Sequence, residues 1–131
     1  MRSGLLDTSV WVALEAGREL ALDLLPEEVF VSVVTLAELQ SGVLVASDVE
    51  TRSQRIATVS RLASIEALPI DATVASEWAT LRAQLHQAGR RVNVNDVWIA
   101  ATAVTQGMPV VTQDADFDVL ATIGAVKVPR V

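Results

Sequence analysis

The 131-residue chain contains no cysteine, a single histidine, His86, and a single lysine, Lys127. Without thiols it forms neither disulfides nor thiolate metal sites, which suits a reducing compartment and points to the cytoplasm. One histidine excludes a histidine-rich metal cage and any mechanism that needs two imidazoles. No signal peptide is visible, because Asp7 interrupts the N-terminal apolar run almost at once. Long apolar runs are missing too. The longest uncharged stretch, Val97 to Gln113, is broken by Thr102, Thr105, Gln106, Gly107 and Pro109, so it reads as helix, turn and strand and not as a membrane span. With no linker, internal repeat or low-complexity tract, the expectation is one domain over residues 1–131, large enough for a proper core.

Positive charge is also scarce: ten Lys and Arg face sixteen Asp and Glu, a formal net charge of −6. Nucleic-acid binders usually carry a basic footprint, so two readings stand. Either the protein binds no nucleic acid, or many acids converge on a metal and leave local arginines to meet phosphates. Net charge does not choose between them. Apolar residues make up 51% of the chain, enough to leave apolar surface for a partner or a second copy to cover.

Strand and helix patterns alternate along the chain. Leu5-Leu6 is a short buried strand, followed by a helix from about Thr8 into Ala16 that ends at Gly17. Val29–Val33 is dense in β-branched residues and forms a second strand. A helix begins at Thr35. Another restarts at Ser47-Asp48, with Ile56, Val59, Leu62 and Ala63 as its apolar stripe. Ala67–Ile70 is a third strand. Asp71 or Thr73 caps the next helix, with Ala75, Trp78, Leu81 and Leu85 facing inward and Gly89 ending it. A helix from Asp96 to Gln106 leads into a fourth strand, Val110–Thr112, and Val126–Val128 is a candidate fifth. The alternation predicts a three-layer α/β/α sandwich around a central, mainly parallel sheet.

Ligand sites in such sheets form beyond the carboxyl ends of the strands. Four stretches bring an acid there: Asp7 ends the first strand, Glu38 follows the second by one helical turn, Asp96 opens the helix before the fourth, and Asp114 and Asp116 follow the fourth. Each has an ordinary structural explanation. Asp7 and Asp96 suit helix N-caps, Thr35 and Glu38 have capping-box spacing, and Asp114 and Asp116 suit a polar turn. Jointly they are harder to dismiss, because acids crowded away from bulk water do not all stay ionised without a cation. The set is a candidate Mg²⁺ or Mn²⁺ site, a common device of phosphodiester chemistry. Thr8, Ser9 and Thr112 stand beside the acids, either to orient carboxylates and waters or simply as caps and turns. Arg90 and Arg91 either complement a helix end or offer guanidinium groups to phosphates. Arg52, Arg55 and Arg61 read as a solvated face, the three tryptophans as packing residues, and His86 as a surface residue near a helix end.

The Asp7-Thr8-Ser9 start, Glu38 in Leu-Ala-Glu-Leu, Asn95–Ala101 (Asn-Asp-Val-Trp-Ile-Ala-Ala) and Val111–Phe117 (Val-Thr-Gln-Asp-Ala-Asp-Phe) resemble, in that order, a PIN-domain nuclease. Length and spacing are similar to VapC-type toxins of bacterial toxin–antitoxin pairs, and the resemblance covers essentially the whole chain. It implies an endoribonuclease that uses Mg²⁺ or Mn²⁺ held by Asp7, Glu38, Asp96 and a fourth acid, for which Asp114 and Asp116 are both available; Asp114 is the nearer to the strand end, with Asp116 assisting. It further implies an RNA substrate, a cognate antitoxin whose tail blocks the cleft, and a homodimer. Two other readings are open. A receiver or phosphoryl-transfer domain would share the sheet but needs a lysine near the phosphate. A catalytically silent protein would instead bind a basic peptide in its acidic cleft.

Overall fold

The first strand, β1 (Ser3–Leu6), lies inside a four-stranded sheet, and its alternating side chains divide the molecule into layers. The computed structural model describes residues 2–131. β1 pairs in parallel with β2 (Glu28–Ser32) on one side and β4 (Val110–Val111) on the other, and β2 pairs in parallel with β3 (Ala67–Leu68), giving the order β3-β2-β1-β4. Successive strand residues point to opposite faces. Leu5, Val110 and Leu68 therefore enter one core, whereas Leu6, Val111 and Val31 enter the other. Both faces are covered by helices, as a parallel sheet requires. The expected α/β/α sandwich is the observed one.

Helix α1 (Thr8–Glu15) and helix α3 (Val49–Arg61) contribute to the second core; helix α4 (Ala72–Gln87), helix α5 (Val94–Thr105) and helix α6 (Asp118–Thr122) contribute to the first. Helix α2 (Val33–Leu44) touches both, through Val34 and Leu39. The inward side of α5 carries Ala100, Ala101 and Ala103, all fully buried. Small side chains let its backbone lie close to the sheet and to Leu81 and Leu85 of α4. That packing fixes the helix start that carries Asp96.

Several boundaries differ from those read in the sequence. Helix α2 starts at Val33, capped by Ser32, whose Oγ accepts the Val34 N–H at 3.0 Å. Thr35 is thus inside the helix, and Glu38 is not its capping-box partner. Helix α5 starts at Val94 with Asn93 as its cap, so Asp96 sits in the first turn and is not the cap. On α4, Val74 is buried in place of Ala75, which is exposed. Ile56 and Ala63 face solvent and are not part of an inward stripe. The expected fifth strand is reduced to one parallel bridge, Thr112 with Arg130. Val110 donates to the Lys127 carbonyl and Thr112 to that of Pro129. Pro129 has no N–H to complete the ladder in return.

Candidate active site

The order β3-β2-β1-β4 reverses direction between β1 and β4, and the carboxyl ends of these two strands open a crevice there. Asp7 follows β1 directly and is only 3% exposed. Its Oδ1 accepts the Ser9 hydroxyl at 2.6 Å and, more loosely, the Val10 N–H at 3.4 Å; its Oδ2 accepts the Thr112 hydroxyl at 2.7 Å. The same two hydroxyls accept in turn from the loop after β4. Ser9 Oγ takes the Gln113 N–H at 3.0 Å, and Thr112 Oγ1 takes the Asp114 N–H at 2.8 Å. One hydrogen-bonded unit therefore sets both the Asp7 carboxylate and the loop carrying Asp114. Asp7 is also the N-cap of α1, so its structural and site roles coexist.

Glu38 arrives from α2. The Thr8 hydroxyl donates to its Oε1 at 2.7 Å, and the Asn95 side-chain amide approaches its Oε2 at 3.5 Å. Thr8 Oγ1 also lies 3.1 Å from the Oγ1 of buried Thr35. Asp114 Oδ1 accepts the Asp116 N–H at 2.9 Å, capping a 3₁₀ turn over Ala115–Phe117. Asp96, Asp114 and Asp116 each offer a carboxylate oxygen, and the three oxygens lie within 4.8 Å of one another. Both candidates for the fourth acid thus reach the cluster.

The electrostatics follow from this crowding. Burial, and then the carboxylates of Asp7, Asp114, Glu38 and Asp116, push Asp96 up to about 7. An acid in the first turn of a helix normally gains about 0.3–1 kcal/mol from the helix dipole. Here desolvation and repulsion outweigh that gain. Burial also raises Asp7, against the lowering effect of its Ser9, Thr112 and Val10 hydrogen bonds, and Asp114 adds to the rise. No Lys, Arg or His makes an ion pair with these acids among the described residues. The nearby Arg130 is committed to Asp118, at 2.6 and 2.7 Å. Hard oxygen donors, close together and without a protein cation, fit a hard divalent ion.

Asp7, Glu38, Asp96, Asp114 and Asp116 are all brought to one edge, with Thr8, Ser9 and Thr112 bonded among them. Arg90 and Arg91 are exposed on the loop after α4 and contact none of the acids. Lys127 lies at the opposite, amino edge, lining a hollow with Arg2 and Ser3. The lysine that a receiver-like phosphoryl-transfer site needs is therefore at the wrong end of the sheet. The sequence assigned Thr35 to a helix start and left Asn95 and Gln113 as members of motifs, with no site role for any of the three. Asn95 and Asp96 are adjacent in the first turn of α5, which is the signal that would have paired Asn95 with the site.

An α/β/α sandwich with this acidic crevice at its topological switch point defines the PIN class of domains. The PIN domain family model matches residues 4–123, and the chain belongs to that family. It is 49% identical to Ribonuclease VapC5 of Mycobacterium tuberculosis over 98% of this chain and 96% of that protein. It is 41% identical to Ribonuclease VapC4 of the same organism, covering 98% of both. The fold superimposes on a crystal structure of VapBC-5, from the VapBC family of toxin–antitoxin systems of M. tuberculosis, with a TM-score of 0.93 at 46% identity and full coverage of both chains.

Proposed function

We propose that residues 1–131 form one nuclease domain that cleaves RNA internally with a divalent metal, as the toxin of a toxin–antitoxin pair. The observation that carries this reading is the meeting of Asp96, Asp114 and Asp116 oxygens within 4.8 Å with no Lys, Arg or His ion-paired to them among the described residues. Relatives that cover almost the whole chain are named ribonucleases, which supports RNA as the substrate.

Asp7, Asp96, Asp114 and Asp116 would hold Mg²⁺ or Mn²⁺, with Glu38 at the rim. Such an ion, when bound, supplies Lewis acidity and lowers the pKa of water. Ser9 and Thr112 keep Asp7 in one orientation. Thr8 and Asn95 aim Glu38, which accepts the proton of the attacking water. The new P–O bond forms as the bond to the ribose 3′ oxygen breaks, and that oxygen takes a proton from solvent, leaving a 3′-hydroxyl and a 5′-phosphate. No 2′-hydroxyl attack takes part, so no cyclic phosphate forms.

The proposed partners are a cognate antitoxin and a second copy of the chain. Leu44, Val45, Val49 and Ile56 stand exposed around the junction of α2 and α3, and clustered apolar surface of this kind marks partner sites. No helix among the described residues is long and apolar enough to cross a membrane.

The test is incubation of a mixed cellular RNA pool with purified, partner-free protein in Mg²⁺, Mn²⁺ or EDTA, beside Asp96→Asn. Discrete fragments with 5′-phosphates, absent in EDTA and absent with the variant, are expected. Intact RNA throughout, from folded protein, would shift the reading to a silent binder of a basic peptide.

A further inference from the structure

A net charge of −6 leaves open how an RNA chain is held beside a cluster of acids. Three of the ten Lys and Arg residues, Arg82, Arg90 and Arg91, gather with His86 around a depression of about 610 Å³ floored by Leu85 and Val92. No acidic side chain lines it. Among the described residues, none of these arginines has a side-chain hydrogen bond or ion pair, whereas Arg2 and Arg130 are paired with acids and Arg52 and Arg55 with carbonyls.

Backbone and packing bring these four residues together. Arg82 and His86 are one helical turn apart on α4, hence on one face. Gly89, at φ +64°, closes α4 in the left-handed conformation; its N–H bonds to the His86 carbonyl and that of Arg90 to the Leu85 carbonyl, at 3.1 and 3.0 Å. This pair of bonds is a Schellman stop, and it turns Arg90 and Arg91 back beside the α4 face. The Arg82 guanidinium lies 5.5 Å from the centre of the Trp78 ring, a cation–π contact. Trp78 stacks on Trp98 of α5 at 4.8 Å between ring centres. Trp98 follows Asp96 by two residues, so α5 carries both a member of the stack beside the basic depression and an acid of the cluster. Arg91 precedes Asp96 by five residues, at most about 18 Å of extended chain.

We infer that Arg82, His86, Arg90 and Arg91 form a seat for the phosphodiester backbone of the RNA, a few nucleotides from the scissile bond. The inference rests on the ribonuclease reading for the position of that bond. Unpaired guanidinium groups suit phosphate oxygens. Because none of them is ion-paired to an acid of the cluster, the substrate is held without neutralising the acids that bind metal.

The test uses Asp96→Asn as a non-cleaving background and a fluorescent single-stranded RNA of mixed sequence. Binding is followed across a salt series, with and without Arg82→Gln/Arg90→Gln/Arg91→Gln. Loss of three single-strand phosphate contacts should lower the slope of log affinity against log salt by about 2, with affinity down about tenfold or more. In the otherwise wild-type protein the triple change should raise KM and leave kcat in place. Arg90→Gln/Arg91→Gln, which leaves α4 untouched, should show a partial loss of slope, and circular dichroism checks the fold of each variant. Unchanged slope and KM in a protein that still cleaves RNA would overturn the seat alone. RNA binding with the expected slope loss, but no cleavage by wild type, would uphold the seat and overturn the ribonuclease reading. Absence of RNA binding by the parent protein would overturn both.

Discussion

The two ends of one parallel sheet present opposite surfaces. At the amino end, a hollow of about 820 Å³ is lined by Phe30, Met108, Pro109 and Pro129, with Arg2 and Lys127 among its walls. At the carboxyl end five acids from four chain segments crowd together, with Thr8 bonded to Glu38, and Ser9 and Thr112 to Asp7. The hollow at the amino end contains the less demanding chemistry: Arg2 is already satisfied by Glu28 at 3.0 Å. The acidic end keeps Asp7 nearly inaccessible and Asp96 shifted to about 7. A fold that maintains such costly charge in one place, with a dedicated hydroxyl network, marks its site more reliably than cavity size does.

The sharpest way to test that contrast is Thr112→Val, which is close in shape and removes a hydroxyl that serves both Asp7 and the Asp114 N–H. A buried acceptor and a donor then lose their partner, at a cost of about 1–3 kcal/mol. If Asp7 holds the metal as proposed, loss of this support costs about 10–100-fold in activity or metal affinity. Both the melting midpoint and the cleavage rate should fall. Lys127→Ala at the other end should leave both close to wild type. Equal effects at the two ends would remove the distinction.

A second change probes the amino end by packing alone. A Cβ on Gly4 would sit 2.9 Å from Val111 Cγ2 and 3.0 Å from Pro26 Cγ. Val111 is fully buried and the proline ring is rigid, so neither gives way cheaply. Gly4→Ala should cost about 1–3 kcal/mol of stability by overpacking, seen in a denaturant melt, with cleavage per folded molecule unchanged. A reduced rate at full stability would mean that the two ends are mechanically coupled.

Much of this architecture was legible along the chain, because strands and their terminal acids are local signals. Leu5-Leu6-Asp7 and Val110-Val111-Thr112 show both the apolar run and the polar residue that ends it. Helix starts were harder. Ser32, Thr35, Asn93 and Asp96 all have capping side chains, and the sequence does not say which of two candidates three residues apart has the non-helical backbone a cap needs. The upstream member is the cap in both cases, and that frees Glu38 and Asp96 for the crevice. The fifth strand failed for a reason visible in the sequence, the missing N–H of Pro129. Convergence was different in kind. That Thr112 reaches Asp7 across 105 positions, or that Arg82 and Arg91 share a wall, depends on how helices pack on the sheet, and no spacing encodes it.

The smallest expected effect is also the most diagnostic, since it separates a structural acid from one held against its own preference. Asp96 titrates near 7 in the folded, metal-free protein and near its ordinary 3.8 when unfolded. Between those values the native state holds more protons than the unfolded state, so stability falls as pH rises through this window and the penalty is complete above about 7. Asp96→Asn removes the penalty. Discounted for partial exposure, the gain at pH ~8 in EDTA is about 1–2 kcal/mol, or roughly 3–8 °C in midpoint. It should shrink toward pH ~4, where wild type is already protonated there. Added Mg²⁺ should raise the wild-type midpoint more than that of the variant, because an ion that binds only the native state stabilises it by mass action. A variant that melts clearly lower at pH ~8 in EDTA would make Asp96 a structural residue of the α5 first turn, and the contrast between the two ends of the sheet would lose its electrostatic basis.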